Sequence, residues 1–448
     1  MLLPSRRELI QAGSLSALGL SLPGLLRASS PSKRAKSCIF VYQYGGLSQL
    51  DSWDPKPNAP VELRGPYKPI ATAVPGFQVG ELMPRLAKLA DKFAVIRSMT
   101  HGVPIHDIAN KMLLAGDAKP ATDAPSFGSA IAKLRPTAAS VPPYVWLQKF
   151  GGGAAPPDAA YLTGGFLGPA HAPLLIGSSH DDNLANPAYR VRALDSDASL
   201  APERLGSRRE LLDGLDSHNP LQPHRQKAFD LLTGTAARHA FDLDREPSKV
   251  RDRYGRNPLG QNLLVARRLI EAGVRLAGVV TWCGLKPGEK FVSVETWDMH
   301  GNGGVGIFED GWNGLGFALP RCDLGMSALL EDLSERGLLD DTLVVLIGEF
   351  GRTPRITPGG SKLPGRDHWP KCYSAMVAGA GVKGGAVYGA SDRIAAYVKD
   401  NPVSLEDFTA TLYSAMGIEP GTRLSPDGFT RPASSGTVIA ELLGERPA

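Results

Sequence analysis

The chain has 448 residues, 42% of them hydrophobic and 21% charged, with a formal net charge of +4. That is ordinary globular composition, and the length suits one large α/β domain with insertions. The charge is too small and too dispersed to speak for nucleic acid or an anionic membrane surface, and no basic tract or aromatic stacking platform occurs.

Ser5-Arg6-Arg7-Glu8-Leu9-Ile10 precedes a weakly apolar stretch from Ala12 to Leu26. The pattern is that of a twin-arginine export signal, expected over residues 1–28, and it predicts delivery to the periplasm or cell surface of a bacterium. The stretch is too short and too glycine-rich to span a membrane stably. No other segment approaches about 18 uninterrupted apolar residues, so no stable membrane span is expected in the mature chain.

Core strands are expected at Cys38–Tyr44, Phe93–Met99, Tyr144–Gln148, Arg275–Trp282, Thr342–Ile347 and Tyr373–Ala378. The run at Thr342–Ile347 has no polar interruption, as in a strand buried on both faces. Helical patterns lie between them at Met83–Lys92, Leu259–Ala272 and Cys322–Arg336, the last two stopped by Gly273 and Gly337. Helix, glycine stop, strand is the rhythm of crossover units, and it predicts a mostly parallel sheet with helices on both faces. Residues 38–393 form that α/β domain, with a cap-like insertion at about 151–257 containing the loop Gly151–Pro157 and a helical stretch from His224 to Ala240. Residues 394–448 are expected to pack on the same domain through a helix, Leu405–Met416, with Ser404 as N-cap and Gly417 as stop. Cys38, Cys283, Cys322 and Cys372 are widely spaced, form no CxxC pattern, and read as free buried thiols.

Polar clusters fall at or just after strand ends, where an open α/β sheet presents its chemistry. The first runs from Gly45 to Pro57 and contains Asp51 and Asp54; the second is His101 with His106-Asp107, entering a helix that ends near Gly116. The third is Glu295 to Asn302, the fourth Glu349 with Arg352, the fifth Asp367-His368. Asp298 and His300 are ligand types two apart, which in extended backbone face one side. Asp367 and His368 diverge in extended backbone, so one binds directly and the other orients or contacts an anion. Arg352 is suited to an oxyanion, and Glu349 is either a ligand or a structural acid paired with Arg352.

Several segments carry a resemblance: Gly45-Gly46-Leu47-Ser48 through Asp54-Pro55-Lys56-Pro57, Arg97-Ser98-Met99-Thr100-His101, Trp297-Asp298-Met299-His300-Gly301-Asn302, Gly348-Glu349-Phe350-Gly351-Arg352-Thr353-Pro354 and Gly365-Arg366-Asp367-His368-Trp369-Pro370. They resemble the bacterial family called "domain of unknown function 1501". The resemblance implies the alkaline phosphatase and sulfatase superfamily fold, whose enzymes cleave phosphate or sulfate esters with divalent metals. The chain departs from the superfamily pattern in three places. Counting back ten residues from Gly116 to the nucleophile position reaches His106, neither Ser nor Cys. The acid expected after strand one would fall near Gln43 or Tyr44, and the nearest acids are Asp51 and Asp54. The Asp-His pair after the penultimate strand stands here as Glu349-Phe350.

Two functions are therefore expected. In the first, an exported hydrolase-like protein acts on a phosphate or sulfate ester: Asp298, His300, Glu349 and one of Asp367 and His368 hold a divalent cation, with zinc, calcium and magnesium all open. Arg352 then steadies the oxyanion, and His106 is a covalent nucleophile or the base for a metal-bound water. In the second, the scaffold has lost turnover and serves as a periplasmic binding or assembly protein.

Overall fold

The structure, a computed structural model, describes residues 34–139, 141–147, 162–177, 202–215, 235–301, 304–358, 362–424 and 431–443. The export signal expected at 1–28, the loop Gly151–Pro157 and residues 224–234 of the helical stretch expected from His224 lie outside the described residues.

An eight-stranded sheet organises residues 34–443. Its strands are β1 (Ser37–Tyr42), β2 (Phe93–Met99), β3 (Tyr144–Leu147), β4 (Leu174–Ile176), β5 (Leu276–Val280), β6 (Thr342–Ile347), β7 (Tyr373–Ala378) and β8 (Val387–Tyr388). Their spatial order is β8-β2-β7-β6-β1-β5-β3-β4. Pairing is parallel throughout except for β7, which runs antiparallel to both β2 and β6. All six expected strands are present, and the mostly parallel sheet is as the sequence predicts. Two short edge strands, β4 and β8, are additional. β4 comes from the segment read as a cap, and Phe241 and Leu243 of the same segment sit in the core.

Side-chain alternation along β1 explains the two layers. Ile39 and Val41 face a cluster formed with the helices Pro84–Lys88, Pro258–Glu271 and Leu315–Glu335. Cys38, Phe40 and Tyr42 face the opposite cluster, formed with His106–Ala115, Phe127–Leu134 and Leu405–Ala415. Both faces are covered, so the strands carry no polar alternation, and each fully buried Val, Leu, Ile or Phe contributes about 1.5–3 kcal/mol. The helix expected from Cys322 starts at Leu315 and runs through Pro320. Ser404 caps the C-terminal helix by accepting from Asp407 N–H, as expected. The four cysteines are free and buried. No helix among the described residues is long and apolar enough to cross a membrane.

Asp323, buried on Leu315–Glu335, accepts the backbone N–H groups of Arg85 (3.0 Å) and Leu86 (2.8 Å) in the first turn of Pro84–Lys88. Burial pushes its carboxyl up to about 6, against the pull of those two N–H groups. A folded-state value above the unfolded one means that this group favours folding most below pH 4 and loses that contribution as pH rises through about 6. Wild-type stability should therefore fall by roughly 2–3 kcal/mol from this group between pH 4 and 7. In Asp323→Asn that part of the slope should vanish, so urea unfolding of both proteins at pH 4.5 and 7.5 will show the variant gaining on wild type at the higher pH. Parallel pH profiles would contradict it.

Candidate functional site

Parallel strands bring their C-terminal ends to one edge of the sheet, which collects the segments after β1, β2, β5 and β6. Because β7 is antiparallel, its beginning lies at that same edge, and the residues just before it, Asp367 and His368, join the group. His368 is further fixed by a two-residue bridge of His368–Trp369 to Gly351–Arg352.

The centre of the cluster is one oxygen of Asp298. Its Oδ1 lies 3.0 Å from His368 Nε2, 3.0 Å from His300 Nε2 and 3.2 Å from His106 Nε2. His300 Nε2 and His368 Nε2 are 2.8 Å apart. Each of the three imidazoles has its other nitrogen on a protein acceptor. His106 Nδ1 is 2.7 Å from Glu349 Oε1, His300 Nδ1 is 3.0 Å from Asp367 Oδ1, and His368 Nδ1 is 2.8 Å from the Pro104 carbonyl. With each Nδ1 committed to an acceptor, the three Nε2 atoms are the ones that face Asp298 Oδ1, as donors to the carboxylate without a cation and as the atoms that would ligate one.

Local backbone explains the convergence. Asp298 and His300 lie in a turn, not in the extended segment expected, with Asp298 N–H donating to Glu295 O (3.0 Å) and His300 N–H to Asp298 O (3.2 Å). Gly45 passes so close behind this turn, at φ +107, that a Cβ there would sit 2.3 Å from Asp298 N. Only glycine fits, and its N–H and carbonyl are both used, by Glu349 and by Arg352. His106 opens the helix His106–Ala115, and Phe350 packs on His106 and His368 with ring centroids 4.9 and 4.4 Å apart.

Electrostatics follow from these contacts. Burial disfavours charge on His106, but its hydrogen bonds to Asp298 and Glu349 outweigh burial and raise it to about 10. Burial also opposes the Asp298 charge; the Arg352 guanidinium and then the three histidines overcome it and hold the carboxyl well below the usual range. Burial lowers His368 and His101. Formally, the three carboxylates Asp298, Glu349 and Asp367 against the Arg352 guanidinium and the His106 imidazolium leave one negative charge to be matched.

Among the expected ligands, Asp298, His300 and His368 meet. Asp367 does not: it orients His300 from behind and also accepts from Thr357 Oγ1 (3.2 Å). Glu349, expected as a ligand or as a partner of Arg352, is neither. Both its oxygens are engaged, Oε1 by His106 and by Gly45 N–H (2.8 Å), Oε2 by the Tyr42 hydroxyl (3.1 Å). Arg352, expected to steady an oxyanion, is wholly buried and spends its donors on the carbonyls of Gly45, Gly46 and Arg366 and on Asp298 Oδ1 (2.6 Å). It fixes the central carboxylate and does not face an incoming group. Asp51 and Asp54 do not replace a strand-one ligand: Asp51 pairs with Arg366, and Asp54 with Lys56, Arg97 and Ser391. His106, expected as a nucleophile or base, points its Nε2 into the same centre as the ligands, and its ligand-like placement was missed. Tyr42, which braces Glu349, and Asn110, which contacts the Tyr42 hydroxyl, were missed as well; Asn110 stands one helical turn after His106, a spacing visible in the sequence.

The fit to a cation is geometric. His106, Asp298 and His368 offer atoms within 4.8 Å of one another, the one group of three or more such ligand residues among those described. Four-coordinate zinc with bonds of about 2.0–2.2 Å separates its ligand atoms by about 3.3–3.6 Å. The 3.0 and 3.2 Å separations of His368 and His106 Nε2 from Asp298 Oδ1 need only a few tenths of an ångström of opening.

Among solved structures, the chain is similar to a phosphonate monoester hydrolase from Silicibacter pomeroyi, with 15% identity over 93% of this chain and 78% of that one and a TM-score of 0.38. It is also similar to a sulfatase from Pseudoalteromonas sp. (12% identity, 99% and 77% coverage, TM-score 0.40) and to a lipoteichoic acid synthase from Listeria monocytogenes (12%, 96% and 81%, 0.38). No curated protein matches the sequence. Residues 35–443, nearly the whole of the described chain, match the family described as "Protein of unknown function (DUF1501)", and the protein belongs to that family.

Proposed function

We propose that the protein is an exported, metal-dependent hydrolase-like protein acting on a phosphate or sulfate ester. The observation that carries the reading is the convergence of His106, His300 and His368 Nε2 on Asp298 Oδ1, each imidazole held from behind by an acceptor. Asp298 and His368, with His106 or His300, are the residues that would hold the cation. Imidazole nitrogens beside one carboxylate oxygen suit zinc and its transition-metal neighbours better than calcium or magnesium, which favour all-oxygen sites. A bound divalent cation supplies Lewis acidity toward an ester oxygen. The protein's own part is to keep the carboxylate ionised through Arg352, to aim the imidazoles, and to shield them with Phe350. Export is supported by Arg6-Arg7 ahead of the weakly apolar stretch.

Elemental analysis of protein purified without chelator, beside a His300→Ala, His368→Ala double variant, tests the reading. Stoichiometric metal in the first and none in the second is expected, followed by turnover of aryl phosphate, phosphonate or sulfate esters. The binding or assembly reading is favoured by one observation, that Arg352 is spent on protein carbonyls. Stoichiometric metal without turnover of any such ester would select it, and absence of metal from both proteins would overturn the cation site.

A further inference from the structure

Behind His106 stands a second line of buried polar groups that no ligand role explains. Tyr42 ends β1, its hydroxyl lying 3.1 Å from Glu349 Oε2 and in short contact with Asn110 Oδ1. Asn110 is wholly buried on His106–Ala115, and its Nδ2 has no partner among the described residues. As placed, the single Tyr42 proton meets two acceptors while a buried amide donor meets none. Turning the Asn110 amide by half a rotation leaves the Tyr42 proton one acceptor and gives the amide nitrogen the Tyr42 oxygen as partner, while the amide oxygen takes the unpartnered position; amide oxygen and nitrogen are assigned from their surroundings. Asn110 N–H then donates to the Tyr42 oxygen, Tyr42 O–H to Glu349 Oε2, and Gly45 N–H and His106 Nδ1–H to Glu349 Oε1.

We propose that Asn110, Tyr42 and Glu349 form a one-way hydrogen-bond chain that positions His106, keeping Nδ1 protonated and aiming Nε2 at Asp298. The role of His106 as a ligand rests on the cation-site reading above; the chain itself does not. Glu349 is a positioning residue in this account, never a ligand. The donors are in sequence order of dependence: Tyr42 has one proton and gives it to Glu349 only when Asn110 presents its amide nitrogen. The arrangement is the carboxylate–histidine pairing that orients ligating imidazoles and whose loss weakens metal sites. Here the carboxylate is buried and is itself braced by a hydroxyl from the neighbouring strand β1.

The test uses the full-length protein and three variants, Glu349→Gln, Glu349→Asp and Tyr42→Phe, with cobalt(II) as the probe and ¹⁵N-histidine NMR as the second readout. Glu349→Gln is expected to weaken cobalt binding about 10- to 100-fold, and Tyr42→Phe, which removes only the brace, about 3- to 10-fold. In the metal-free wild type the His106 Nδ1–H signal should be protected from solvent exchange, and this protection should fall in both variants. Folding is checked by circular dichroism; if Glu349→Gln does not fold, Tyr42→Phe and Glu349→Asp carry the test. Unchanged protection of Nδ1–H in Tyr42→Phe would overturn the chain. So would loss of cobalt in Glu349→Gln with both readouts unchanged in Tyr42→Phe, which would make Glu349 a direct ligand. A wild type that takes no cobalt or zinc would instead defeat the cation-site reading, while the exchange measurement on metal-free protein would still decide the chain.

Discussion

Asp51→Ala is expected to cost about 3–5 kcal/mol of stability, among the largest losses available to a single polar substitution here. Asp51 and Arg366 both have side chains with no exposed surface, joined at 2.8 Å (Nε to Oδ2) and 3.2 Å (Nη2 to Oδ1). The remaining Arg366 donors go to the carbonyls of Thr353, Pro354 and Leu63. Those carbonyls satisfy hydrogen bonds but do not cancel a charge, so removing the carboxylate strands a guanidinium in the interior. Asp51→Asn should be nearly as harmful, since its amide nitrogen would face the same donors. Urea unfolding will show a lower midpoint with little change in slope. The double variant Asp51→Ala, Arg366→Met should recover more than half of the loss, because an apolar pair leaves no charge to neutralise. No recovery would mean that the loss comes from packing alone.

The pair also reaches the functional edge. Arg366 N–H donates to Met299 O (3.0 Å) and its carbonyl accepts from Arg352 (3.1 Å), so it ties together the loops carrying His300, His368 and Arg352. This is why Asp51, one of the acids nearest to the end of strand one, matters to the site without entering it.

What the sequence disclosed depended on how strongly each feature was constrained. Phe93–Met99, Thr342–Ile347 and Tyr373–Ala378 were legible to the residue because runs buried on both faces are dominated by apolar residues, which outweigh Arg97-Ser98 and Ser374 in the first and last. β4 and β8, three and two residues long at the sheet's edges, are too short for any periodicity to register. The antiparallel direction of β7 was hidden because an apolar run reads alike in either direction. The site ligands were legible as types at strand ends, but their ranking was not. Glu349 and Asp367 carry the same chemistry as Asp298 and differ only in what lies behind them, Tyr42 and Gly45 for one, solvent and Thr357 for the other. Tyr42 was invisible for a simpler reason, being one more large residue in an apolar strand. His106 lies where the superfamily resemblance places a nucleophile, and nothing in its sequence neighbourhood distinguishes that role from a ligand's.

Asp298→Asn should reduce the affinity for cobalt or zinc by more than about 100-fold, beyond what loss of an outer orienting group costs. The substitution keeps the shape and removes the charge on which three imidazole nitrogens and one guanidinium converge. Asparagine can still offer one carbonyl oxygen, but not the anion that offsets Arg352. It therefore combines a metal effect with a stability effect, because Arg352 is left with carbonyl partners and no counter-charge, a cost of about 3–5 kcal/mol. His300→Ala separates the two. It removes a partly exposed imidazole and strands no buried charge, so it should weaken cation binding while moving the urea midpoint little. Cobalt titration monitored by absorbance, with urea unfolding of the same metal-free samples, distinguishes the outcomes. If Asp298→Asn binds cobalt like wild type but is destabilised, the carboxylate exists to neutralise Arg352, and the histidines hold no cation through it. If both variants lose cobalt and only Asp298→Asn loses stability, one oxygen serves as the hinge between the buried arginine and the site it supports.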